Sequence, residues 1–361
     1  MFETEHSLKN STYSEWKKTN GQSRILSGRS ELLRIAVVGA GAIGCLFGGR
    51  LQKAGQSVLL IHHKSSVAAS IEKTGVRIRE LSGKVVRTRI RTRTSLSKSD
   101  EPELVLITVK AYDTEPVASL LRKSIGRNVP VLSLQNGLGN VESLRRRLGS
   151  DSIIAGTTTE AALATGPGSV IHYGIGITWV GEMNGKRSER CLAVKRAFRG
   201  AGFSTVISNK INGVLWSKAV VNSAINPVTA IARVRNGDIL KTPELLEIAS
   251  KVIDESSAVA YANGVVLEPA PKRLFKRVLA MTSRNKSSML QDIEAGRKTE
   301  ISQLNGSITR LGSLVGVSTP FNYLLTKLVL SLEGSQSNFS LGRVEINPRS
   351  ADKISAVKNS R

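Results

Sequence analysis

"VVGAGAIGCLFGG", residues 37–49, decides how this chain is read. Gly39, Gly41 and Gly44 stand in the spacing G-x-G-x-x-G. They follow an apolar run, Arg34–Val38, of the kind that forms a strand buried on both faces of a parallel sheet. In that setting each glycine has a physical task. Gly39 permits a tight turn, Gly41 lets the backbone approach a pyrophosphate, and Gly44 lets helix and strand pack closely. A helix opening here offers unpaired N–H groups and the positive end of its dipole to phosphates. A small-residue helix start is the bland alternative. The flanking strand and helix favour a dinucleotide cradle made of Gly39, Ala40, Gly41, Ala42, Ile43 and Gly44.

Working outward, "SVLLI" (57–61), "ELVLITV" (103–109), "VPVLSL" (129–134) and "SIIAGTT" (152–158) repeat the apolar theme, and helical stretches separate several of them. Strand and helix in alternation predict an α/β fold, with an N-terminal Rossmann-type doubly wound sheet. The second strand ends in "LLIHHKSS", without the carboxylate that grips the ribose 2′-hydroxyl of NAD. His63 and Lys64 suit the extra phosphate of NADP(H) instead, Lys64 being the steadier cation; an exposed polar loop is the alternative. Between Val76 and Ser95, Arg87, Arg89, Arg91 and Arg93 share one parity. They are expected on one face of a strand, either as a phosphate-binding ribbon or, preferably, as a solvated face.

After about Asn209 strand-like runs stop and helical spacing takes over, predicting a C-terminal all-helical domain. The expected organisation is a polar tail (1–33), a dinucleotide-binding domain (34–208), a helical substrate domain (209–334) and a second polar tail (335–361). Within the helical part, "WSKAVVNSAIN" places Lys218, Asn222 and Asn226 at steps of four, on one face of a helix whose intervening residues are apolar. Polar groups there are expensive unless satisfied, so a wall facing a cleft is expected. A wet helix face is the alternative. The helix should end or kink at Asn226, before Pro227. Ser287, Ser288 and Thr299 have the chemistry of N-caps.

The net charge is +24 with only 4% aromatic residues. The basic residues are dispersed and stacking platforms are scarce, so the charge reads as enrichment of small anionic ligands rather than a nucleic-acid site. Cys45 and Cys191 make no disulfide framework, and no metal site is expected; Cys45 reads as a small buried filler. No run is long enough to span a bilayer and no secretory signal is seen, so a cytoplasmic protein is expected.

Together "GAGAIG" (39–44), "TVKAYD" (108–113), "QNGLG" (135–139), "AGTTTEAA" (155–162), "LWSKAVVNSAINPVTAI" (215–231), "RNG" (235–237) and "SSMLQDIEAGRKTEI" (287–301) resemble the 2-dehydropantoate 2-reductase (ketopantoate reductase) family, in order and spacing. The resemblance spans Arg34 to Leu332. It implies NADPH-dependent reduction of ketopantoate to (R)-pantoate, within pantothenate and coenzyme A biosynthesis. By the same resemblance Lys218 matches the general acid. Asn222, Asn226, Asn236 and Ser288 match substrate-holding residues. Lys110 and Asn136 match residues lining the nicotinamide and substrate cleft, Ala162 matches a cofactor contact, and Glu300 a carboxylate near the cofactor and Lys218. The family often has Arg where His63 stands. The implied partner is a small anionic 2-keto acid, without nucleic acid or membrane; a homodimer is compatible with the chain. A related 2-keto acid reductase, and a non-catalytic nucleotide sensor or nucleic-acid binder, remain as alternatives.

Overall fold

The glycine motif lies between β1 (Arg34–Val38) and α1 (Ala42–Lys53), with Gly41 as the helix N-cap. The computed structural model describes residues 32–339. The chain continues through β2 (Ser57–Ile61), α2 (Ser65–Thr74), β3 (Val76–Arg79), β4 (Val85–Thr88), β5 (Arg91–Arg93), β6 (Leu104–Ile107) and α3 (Thr114–Ser124). Next come β7 (Val131–Ser133), α4 (Asn140–Leu148), β8 (Ile153–Thr158), β9 (Ala161–Gly166), β10 (Ser169–Gly174), β11 (Ile177–Gly181), α5 (Glu189–Gly200) and β12 (Ser204–Ile207). One sheet has the order β12-β11-β8-β7-β6-β1-β2-β5, parallel except where β11 meets β8. Strand order runs outward from β1 in both directions, so a crevice forms at the C-terminal ends of β1 and β6, where the crossovers diverge.

The apolar runs follow from burial on both faces. Ile35 and Val37 pack with Leu46 and Phe47 of α1 and with Phe198 and Phe203. Ala36 and Val38 point the other way, to Ala118 and Leu121 of α3 and to Val141 and Leu144 of α4. Each fully buried Ile, Leu or Phe contributes ~1.5–3 kcal/mol of transfer free energy.

The arginine stretch departs from the expected single strand. Arg87 lies on β4, in a second sheet of order β4-β3-β10-β9, whereas Arg91 and Arg93 lie on β5, the edge of the main sheet. Buried Ile90, between them, inserts into the core beneath α1 as the chain passes from one sheet to the other. The arginines are all exposed, as the parity requires.

The helical part comprises α6 (Ile211–Ala232), α7 (Pro243–Ala262), α8 (Pro271–Met281), α9 (Ser288–Glu294), α10 (Asn305–Leu314) and α11 (Pro320–Phe339). Trp216, Val220, Ala224 and Val228 of α6 pack against Val252 and Ile253 of α7, Phe275 and Leu279 of α8, Ile308 and Leu325. Of the two outcomes expected at Pro227, the helix does not end: α6 continues through it to Ala232. Proline lacks the N–H that would bond the carbonyl of Ser223, and Asn305 Nδ2 donates to that carbonyl instead, at 2.9 Å. α11 also runs to Phe339, five residues into the expected C-terminal tail, because its buried Leu325 and Val329 carry it along the core. Residues 1–31 and 340–361 of the two expected tails lie outside the described residues.

From Leu33 onward the described residues form one compact unit. Ile211 and Val214, at the start of α6, belong to the core beneath the sheet, and Leu138, after β7, belongs to the helical core. The Leu138 N–H donates to Gln303 O at 2.9 Å. Among the described residues no helix is long and apolar enough to cross a membrane, and no cluster of His, Cys, Asp or Glu is placed to hold a metal.

Candidate active site

The cradle is built as the glycine spacing requires. Gly39 has φ +113°, and a Cβ there would come within 2.6 Å of Val109 N. A Cβ on Gly44 would lie 1.8 Å from Gly39 O. On Gly41 it would meet nothing within 4 Å, and no side chain caps α1. So two glycines are demanded by packing, while the third faces open space beside free helix N–H groups. That is a surface into which a phosphate fits. Thr108 Oγ1 donates to Gly39 O at 2.7 Å and holds the turn to the end of β6. Ala40, Ala42 and Ile43 complete the wall, and Cys45 is buried with its Sγ donating to Ala40 O at 3.3 Å.

At the end of β2, His63 and Lys64 are exposed, followed by Ser65 and Ser66 at a helix start that no side chain caps. The His62 and His63 rings stack at 4.8 Å, and the Lys64 N–H donates to His62 Nδ1 at 3.1 Å. Burial, then the neighbouring His63 and Lys64, hold the pKa of His62 below the ordinary imidazole value.

Lys218 projects from α6 toward the ends of β7 and β8. Its Nζ donates to Asn136 Oδ1 (2.9 Å), Thr157 Oγ1 (2.8 Å) and Thr158 O (2.6 Å). All three acceptors are neutral. Burial pushes the pKa of Lys218 down to about 8, opposed by the negative charge of Glu300. Asn136, which the resemblance matches to a residue lining the nicotinamide and substrate cleft, is here a partner of Lys218. Thr157 and the Thr158 carbonyl were not singled out in the sequence; their strand reads as core, and only the fold brings them to α6.

Lys110, just beyond β6, has a different setting. Its Nζ lies 2.6 Å from Asp292 Oδ2 and 3.6 Å from Glu300 Oε2. Burial opposes its charge, but Glu300 and Asp292 outweigh burial and hold its pKa above the ordinary lysine value. Glu300 also accepts from the Ala111 N–H at 2.9 Å. It contacts Lys110 directly and reaches Lys218 only through its field. Asp292, which also accepts from Arg297 Nε at 3.0 Å, was another residue the sequence reading passed over.

Lys218, Asn222 and Asn226 share one face of α6, and the side-chain amides of Asn222 and Asn226 have no hydrogen-bond partner among the described residues. Asn236 is buried; its Nδ2 donates to Thr282 Oγ1 at 2.9 Å, while its Oδ1 is buried without a partner. Unpaired buried amides are costly, and a polar ligand would satisfy them. Ser287 is the true N-cap of α9, accepting from the Leu290 N–H, and Thr229 Oγ1 donates to it at 2.8 Å. This contact seats the start of α9 against the Asn226 end of α6 and leaves Ser288 exposed. Ala162 stands apart: it lies on β9 in the second sheet, packed on the core beneath α1.

A glycine cradle at the switch point of a doubly wound sheet, opposite a lysine whose ammonium rests on neutral oxygens, defines a Rossmann-type oxidoreductase. Residues 35–185 match the family described as Ketopantoate reductase PanE/ApbA, and residues 210–333 its C-terminal part. The chain belongs to the ketopantoate reductase family. The 2-dehydropantoate 2-reductase of Pyrococcus horikoshii is 39% identical over 301 residues, covering 83% of this chain and 98% of its own length. That of Archaeoglobus fulgidus is 37% identical over 300 residues, with the same coverage of 83% and 98%. Among solved structures, a PanE/ApbA family ketopantoate reductase from Ralstonia eutropha JMP134 superimposes with a TM-score of 0.77 at 31% identity, covering 84% of this chain and 100% of its own. D-mandelate dehydrogenase with NADH and anilino(oxo)acetate gives a TM-score of 0.80 at 27% identity, covering 84% and 99%.

Proposed function

We propose that this protein is an NADPH-dependent 2-dehydropantoate 2-reductase, reducing ketopantoate to (R)-pantoate in the cytoplasm for pantothenate and coenzyme A synthesis. The observation that carries the reading is the Lys218 ammonium, poised near neutrality on three neutral oxygens. The relatives named 2-dehydropantoate 2-reductase support the substrate. In this reading the sheet part (34–208) and the helical part (209–334) act as two domains that form the walls of one cleft.

Residues 39–44 and the N-terminus of α1 would hold the pyrophosphate, and His63 and Lys64, without a carboxylate beside them, the 2′-phosphate. When bound, the nicotinamide supplies the hydride. Asn136, Lys110, Ala162 and Glu300 are the further cofactor-side positions. Asn222, Asn226, Asn236 and Ser288 bind the substrate: neutral amides donate to its carboxylate and accept from its hydroxyl. As negative charge develops on the keto oxygen, Lys218 Nζ stabilises it and gives it a proton, leaving a neutral amine that solvent reprotonates. The keto acid becomes a hydroxy acid, with two electrons and one proton arriving on carbon as hydride and one proton on oxygen.

The likeness to D-mandelate dehydrogenase with NADH favours a second reading, an NADH-dependent reductase of another 2-keto acid. Loss of absorbance at 340 nm separates them. With ketopantoate and a panel of 2-keto acids, each run with NADPH and with NADH, the highest kcat/KM is expected for ketopantoate with NADPH. Higher values for an aryl keto acid with NADH select the second reading, and no turnover with any pair sinks both.

A further inference from the structure

One buried ionic cluster takes no part in the chemistry at Lys218. The side chains of His172, on β10, and of Glu160, between β8 and β9, are each 1% exposed. His172 Nε2 lies 2.7 Å from Glu160 Oε2 and 3.1 Å from Gly174 O; both are acceptors, so Nε2 carries a proton and donates. His172 Nδ1 lies 3.1 Å from Glu80 Oε2 and 3.0 Å from Arg50 Nη2, and Arg50 pairs with Glu80. One guanidinium and two carboxylates therefore meet around one ring. Packed apolar side chains often replace such clusters at no loss of stability, so the cluster points to a geometry that it specifies.

What it specifies lies next to Glu160. The Glu160 N–H donates to Thr158 Oγ1 at 3.1 Å, and Thr158 Oγ1 shares a 2.9 Å hydrogen bond with Thr178 Oγ1. Thr159 N donates to Ile177 O at 3.0 Å, and Ile177 N to Thr159 Oγ1 at 2.9 Å. Gly176 presses on the same bend, where a Cβ would come within 2.2 Å of Thr159 C. The segment is clamped by β11 on one side and by His172 on the other. Its near end presents Thr157 Oγ1 and Thr158 O, two of the three acceptors of Lys218.

We propose that Glu160 is a positioning residue: held by His172, it locks the corner whose Thr157 hydroxyl and Thr158 carbonyl seat the Lys218 ammonium, and ties that corner to Arg50 in the last turn of the cradle helix. The proposal rests on the general-acid reading of Lys218. The charged groups concerned are Glu300, acting on Lys218, and Glu160, Glu80 and Arg50, facing His172.

The test compares Glu160→Gln and Glu160→Asp with the wild type. Glutamine keeps the length and an oxygen for His172 Nε2 but loses the charge. Aspartate keeps the charge but is one methylene short, so it must pull the corner or lose the bond. Two readouts are taken: the pH profile of kcat, and the titration of Lys218 followed by ¹³C NMR, assigned with Lys218→Arg. Glu160→Asp is expected to lose about tenfold in kcat through misplacement of the ammonium. Its cofactor KM should stay within about twofold, and both titrations should move to lower pH as the ammonium loses acceptors. Glu160→Gln is expected to return both toward the wild type. A folded Glu160→Asp that titrates and turns over like the wild type overturns the proposal, as do equal shifts in both variants, which would assign the effect to charge. If Glu160→Asp does not fold, His172→Asn, which shortens the donor instead, carries the same expectation. A wild type that reduces no 2-keto acid, with the NMR shift confined to Glu160→Asp, removes the general-acid reading and leaves the positioning intact.

Discussion

Lys218 and Lys110 both feel the charge of Glu300 and are opposites. Lys218 rests on an amide oxygen, a hydroxyl and a peptide carbonyl, and burial lowers its pKa to about 8. Lys110 rests on Asp292 and Glu300, and those charges hold its pKa up. A cation among neutral acceptors keeps its hydrogen bonds but gains little from keeping its proton. A cation among carboxylates gains much. The first is fit to give a proton away, and the second to stay charged and hold the two halves of the molecule together. The positions of carboxylates, rather than the residue type, divide the labour.

The most severe test of this division is Lys218→Ala. It is expected to lower kcat by ~10²–10⁴ while leaving NADPH affinity, measured by fluorescence titration, nearly intact. A loss divided equally between kcat and cofactor affinity would mean that Lys218 only binds.

A smaller effect sharpens the contrast by pH. A general acid works only while protonated, so kcat should be level below pH 8 and fall tenfold per pH unit above a midpoint near the Lys218 value of about 8. Lys110, held higher, should contribute no limb in that range. A pH–rate profile flat to pH 10 would break the assignment.

The least effect is expected from Asp292→Asn. It removes one of two carboxylates from Lys110 and the partner of Arg297, costing about 1 kcal/mol of stability by denaturant midpoint, since Lys110 is partly exposed. The alkaline limb should stay in place. If it moves with Asp292→Asn, the two lysines titrate as one unit.

Much of this was legible in the chain. The glycine spacing, the apolar runs and the step-of-four polar face of α6 each reflect a local rule: a turn, a two-faced strand, one helix stripe. What was not legible depends on contacts distant in sequence. Pro227 should have ended or kinked α6; the helix does not end there, and Asn305 takes up the orphaned carbonyl of Ser223. The arginine parity correctly placed those side chains in solvent but not that two sheets would divide them. Two acceptors of Lys218, on Thr157 and Thr158, look like core strand residues until α6 is laid across β8.

The sequence by itself determined a glycine turn at a helix start and a lysine on a polar stripe of one helix, because backbone freedom at glycine and helical periodicity are properties of a few neighbouring residues. Tertiary structure alone decided what the lysine can do. Its proton affinity is set by burial and by the charge of Glu300, and its acceptors come from β8 and from Asn136 beyond β7, parts of the chain that meet only when sheet and helices close on each other.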